Sequence, residues 1–92
     1  MKTMLSWTVL PGAIHEAAEK FLTTGAPAQE GVTMLGRWHR ADGSGGYALF
    51  ETDRPEQLYR GAMVWADILE FDSHLVIEDA QAGAVLADVF KS

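Results

Sequence analysis

The chain has 92 residues, of which 48% are hydrophobic and 22% charged, with three tryptophans and no cysteine. That balance describes one globular domain. It excludes a disordered segment, a fibre, a disulfide scaffold and a thiolate metal site. Thirteen acids against seven Lys and Arg leave a net charge of −6, which repels a phosphate backbone and an anionic membrane surface, so neither nucleic acid nor membrane is expected as a partner.

The N-terminus, Met1 to Gly12, begins with a basic residue and apolar ones, but Ser6, Thr8 and Pro11 interrupt the run and no small-residue cleavage site follows. It is expected to be a first strand over 3–9 rather than a leader. Pro11-Gly12 ends that strand. Ile14, Ala17, Ala18, Phe21 and Leu22 then recur at helical spacing, predicting a helix over 12–24 closed by Gly25. After a loop come strands over 32–40 and 46–52, joined by the glycine-rich turn 41–46. Asp53-Arg54-Pro55-Glu56 announces a second helix over 55–68, with Asp53 expected to cap it and Leu58, Ala62 and Trp65 on its inner stripe. A fourth strand is expected over 70–77. Asp79 is expected to cap a last helix over 79–90, whose stripe of Val85, Leu86, Val89 and Phe90 should pack on its own subunit or on a partner.

The order β-α-β-β-α-β is the ferredoxin-like plan in the α+β class: a four-stranded antiparallel sheet, order 4-1-3-2, with two helices on one face and a C-terminal helix added. Residues 1–92 form a single ferredoxin-like domain, with 1–78 as its core and 79–92 as the C-terminal helix. The absence of cysteine fits a cytoplasmic protein.

The turn around Gly43 is no phosphate loop, because it joins two strands, lacks Lys and opens no helix. Gly46-Tyr47-Ala48-Leu49-Phe50 is similar to the aromatic strand of RNA-recognition modules, but lacks the basic residue before the glycine and has Leu49 at an aromatic position.

Strict alternation sorts the strand residues into two faces. Leu5, Trp7, Val9, Met34, Trp38 and Phe50 fall under the helices. Met4, Leu35, Tyr47 and Leu49 fall on the opposite face, together with the polar Arg37, His39, Glu51 and His74. Apolar residues on both faces predict a second sheet packed against the first, hence a homodimer. The polar set has two readings. Either it makes a pocket inside the dimer, with His39 or His74 as acid/base and Arg37 as an anion clamp, or Arg37 and Glu51 pair across the hairpin and the histidines are rim residues. The tryptophans are either core or the lining of a small-molecule pocket between sheet and helices. The ligand-binding candidates are Arg37, Trp38, Tyr47 and Trp65. Three histidines without ligand spacing predict no metal, and no cofactor is expected.

Met4-Leu5-Ser6-Trp7-Thr8, the run Glu30 to His39, Phe50 to Pro55 and Trp65 to Phe71 together resemble the domain-of-unknown-function family DUF3303. Arg54 departs from its pattern, which has an acid before the proline. The resemblance implies the dimeric α+β barrel form of the fold and supplies no catalytic residues. Three functions stay open: a homodimer that binds a small, partly apolar molecule; a cofactor-independent monooxygenase or isomerase; and a purely structural or regulatory interaction module.

Overall fold

A computed structural model describes residues 1–91; Ser92, the last residue of the expected C-terminal unit, lies outside the described residues. The elements are β1 (Lys2–Val9), α1 (Ile14–Thr24), β2 (Thr33–His39), β3 (Gly45–Glu51), α2 (Pro55–Trp65), β4 (Leu69–Val76) and α3 (Asp79–Val89). All strand pairs are antiparallel and the sheet order is β2-β3-β1-β4, the ferredoxin-like α+β plan expected from the element order. Leu5 of the central β1 sits opposite Ala48 of β3 and Ser73 of β4. That line of residues faces α1 and α2, which share one side of the sheet.

Helix α1 ends as its sequence demands. Gly25 takes the left-handed conformation at φ 72° and returns its N–H to the Phe21 carbonyl. Helix α2 departs from expectation at both ends. Asp53 makes no cap: the Arg54 N–H is taken by the Thr52 hydroxyl at 2.9 Å, while Asp53 lies 3.7 Å from the N-terminal amine. At the other end, α2 stops at Trp65. Ile68 is buried and its carbonyl accepts the Leu10 N–H, and Leu69 already pairs with Val9 as the first residue of β4. Burying Ile68 and Leu69 in the layer between sheet and helix competes successfully with three more residues of helix.

The parity of β2 is the largest correction. Met34 pairs with Phe50 but Gly36 pairs with Leu49, so Leu35 is an extra residue in a β-bulge. Beyond it every side chain changes face. Arg37 and His39 point to the helix side, in register with Ala48 and Gly46, and Trp38 points to the outer side beside Tyr47. Arg37 and Glu51 therefore lie on opposite faces and do not pair; Glu51 instead accepts from the N-terminal amine at 3.2 Å.

Helix α3 begins on a capping box in which Glu78, rather than Asp79, is the N-cap, exchanging hydrogen bonds with Gln81. Glu78 also pairs with Lys2, which ties the start of α3 to β1; the ammonium holds the Glu78 carboxyl below its ordinary range, and the carboxylate raises the lysine. Past that tether the helix does not pack on its own subunit, the first of the two places expected for it. Val85, Leu86, Val89 and Phe90 are all exposed. The Cα radius of gyration is 15.9 Å, against roughly 12 Å for a compact chain of this length, and the projecting helix accounts for the excess.

Candidate functional site

The two layers do not close on each other. The buried apolar residues among those described are Ala17, Ala48, Ile68 and Leu69. Around Ala17, Ile68 and Leu69 pack the half-buried Trp7, Trp65 and Phe71. From this cluster a cavity of about 730 Å³, open to solvent where the exposed Ile14, Leu22 and Tyr59 line it, extends between the sheet and the helices, within the usual 300–1,000 Å³ of small-molecule sites. Its floor is the inner face of the sheet, with Leu5, Trp7, Ala48, Phe50 and Phe71; its roof is Phe21 of α1 and Leu58, Ala62 and Trp65 of α2. The roof residues come from the same helical stripes that the sequence shows, so the periodicity that forms the helices also aims their apolar side chains here.

The loop over residues 25–32 is fastened by three side chains. Arg37 donates from Nη1 to the Ala26 carbonyl at 2.6 Å and from Nη2 to the Gly25 carbonyl at 3.2 Å. The Thr52 hydroxyl donates to the Gly31 carbonyl at 2.8 Å, and Gln57 Nε2 to the Glu30 carbonyl at 2.7 Å. Arg37 thereby caps the C-terminal end of α1, where the helix dipole favours a cation. Its guanidinium also lies 5.0 Å from the Phe21 ring centroid. His39 stands next to it with aromatic edges on two sides, 5.5 Å from Trp7 and 5.3 Å from Phe21 between ring centroids. Outside the cavity lining, the Lys20 ammonium ties α1 to α2: it lies 4.7 Å from the Trp65 ring centroid and donates to the Val64 carbonyl near the end of α2.

The expected site residues divide between the two sides of the sheet. Arg37, His39 and Trp65 meet in the cavity. Trp38, Tyr47 and His74 lie on the outer face. There Trp38 lies over Gly36, leaving no room for a Cβ, and is 56% exposed; Tyr47 is 42% exposed with the Arg40 guanidinium over its ring at 5.3 Å. His74 is exposed, with Nε2 3.8 Å from Asp72 Oδ1. The polar pocket that one of the two readings makes of Arg37, His39, Tyr47, Glu51 and His74 is therefore not formed on one face, because one bulge residue separates its members. Phe21, Phe71 and Gln57 join the site without having been expected in it. Phe21 was legible as part of the α1 stripe. Gln57 was not, since nothing in its neighbours distinguishes a buried glutamine from a solvated one.

Among the described residues no three of His, Asp and Glu come together as a metal site would require, and no helix is long and apolar enough to cross a membrane. The fold and its cavity define a ferredoxin-like α+β domain with an apolar chamber between its layers. The chain belongs to the family described as Domain of unknown function (DUF3303), whose model matches residues 1–90. It is also similar to the crystal structure of an uncharacterized NIPSNAP domain protein from Burkholderia xenovorans, at 13% identity and a TM-score of 0.49, over 86% of this chain and 97% of that one. No curated protein matches it.

Proposed function

We propose that the protein is a cytosolic homodimer that binds a small, partly apolar molecule in the cavity between its sheet and its helices. The observation that carries the proposal is the cavity itself. Residues that would fill a domain of this size, Trp7, Phe21, Phe50, Trp65 and Phe71, line about 730 Å³ of space instead. Protein interiors are close-packed, and an unfilled apolar space forfeits the dispersion contacts of its walls. A ligand that occupies it restores them.

The dimer is supported by two further surfaces. Met4, Leu35, Trp38 and Tyr47 are exposed together on the outer face of the sheet, and α3 presents an apolar stripe that its own subunit leaves uncovered. Both are covered at once if a second copy packs its sheet on this one and receives the helix.

The oxygenase or isomerase reading keeps one support, the position of His39 in the cavity wall. Its neighbours there are ring edges, whereas general acid/base catalysis wants an orienting group in hydrogen-bond reach. Binding is the reading favoured.

N-phenyl-1-naphthylamine, a neutral aromatic dye whose fluorescence rises in apolar surroundings, tests it. Saturable one-to-one binding to the wild type, lost when Ala62→Phe occupies the space, is the expected result. A dye signal that is absent, or that is untouched by Ala62→Phe, would refute the site.

A further inference from the structure

We infer that the molecule taken by this cavity carries one anionic group, held at Arg37, on an otherwise apolar body. The inference rests on the cavity being a binding site, and adds the charge of its occupant. The chain has thirteen acids, yet among the described residues that line the cavity there is no Asp, Glu or Lys, and Arg37 is the one side chain with a fixed charge. Desolvation keeps charges of either sign out of an apolar space, so the missing acids alone say little. What desolvation does not explain is a guanidinium retained in the wall.

Arg37 reaches the cavity because of the bulge at Leu35. In a regular strand it would stand on the outer face, in water. Bulges re-aim side chains in this way. Once inside, the guanidinium is only partly used. It has five N–H donors, and the Ala26 and Gly25 carbonyls take two. The remaining donors match a carboxylate or another oxyanion, for which a planar guanidinium is well shaped. His39, beside it on β2, adds a second polar group at the same place. The rest of the wall is mostly aromatic or aliphatic, with only the uncharged polar Thr3, Gln29, Gln57, Tyr59 and Ser73 among it, and suits an apolar body.

Competition against bound N-phenyl-1-naphthylamine by octanoate and by 1-octanol, equal in chain length and different in charge, provides the test. A charge-assisted hydrogen bond predicts that octanoate displaces the dye at about tenfold lower concentration than octanol. In Arg37→Met the two competitors should become equal while the dye still binds. Arg37 also fastens the loop after α1, so a second variant leaves it in place: His39→Asp, two residues along β2 on the same cavity face, puts a carboxylate beside the guanidinium and should weaken octanoate and spare octanol. Equal competition by the two in the wild type overturns the inference and leaves the cavity as a binding site. So does a preference for octanoate that survives in His39→Asp and, where it folds, in Arg37→Met. A dye that fails to bind the wild type at all removes the cavity reading and this inference with it.

Discussion

Replacing Ala62 by phenylalanine puts a ring into the cavity from α2, and the sign of the stability change reports whether the space is there. Ala62 is half-buried and lines the cavity across from the sheet. If the ring enters empty apolar space it gains the burial of a large side chain, about 2 kcal/mol. Phenylalanine is a poorer helix former than alanine, which returns about 0.5 kcal/mol. The net gain of about 1.5 kcal/mol raises the Tm of a domain this size by roughly 6–12 °C. If the layers in fact pack tightly, the same ring overfills the core and costs about 1–3 kcal/mol, so the Tm falls. Thermal unfolding followed by circular dichroism, beside a dye titration, decides between them. A lower Tm together with retained dye binding would refute the argument, because the ring would have met packed atoms and the dye would be bound elsewhere.

Leu49→Asp on the outer sheet face should dissociate the proposed dimer: losing one anchor buried there in each subunit would cost about 3 kcal/mol or more, at least about a hundredfold in Kd. Sedimentation checks it, and a wild type that runs as a monomer at micromolar concentration would remove the interface. Leu86→Lys on α3 should lower the dimer fraction or the Tm; a protein unchanged in both would mean that the helix stands free in solution as well. At Gly45 a Cβ would land on the Trp7 backbone carbonyl oxygen, where no side chain can move aside. Gly45→Ala should therefore cost about 1–3 kcal/mol, and an unchanged urea midpoint would show that the hairpin can shift. Asp42 accepts hydrogen bonds from the Ser44 hydroxyl and N–H at 2.6 and 3.0 Å, which hold its carboxyl below the ordinary value of 3.8. A lowered folded value means a contribution present above pH about 4 and lost as pH falls through it. The Tm difference between wild type and Asp42→Ala should shrink on acidification, and a difference constant down to pH 2 would exclude Asp42 as its source.

What was legible in the chain was local. Stripes at helical spacing and runs of β-branched and aromatic residues place all seven elements, and their order restricts the sheet to one antiparallel plan, because short connections and handedness leave few alternatives. The family likeness was legible too, in runs such as Glu30 to His39. The bulge was not. Met34 and Leu35 are both apolar, so alternation reads equally well in either register, and only Gly36 hinted at an irregular strand. That one residue moved Arg37 and His39 to the cavity and Trp38 to the outer face, and with them the composition of the candidate site. The cavity was equally invisible. An apolar stripe states which side of a helix avoids water, whereas the separation of two layers depends on how all their side chains interlock. The course of α3 belongs with these. Its stripe records that a partner surface is wanted, but which surface that is depends on contacts that no local pattern encodes.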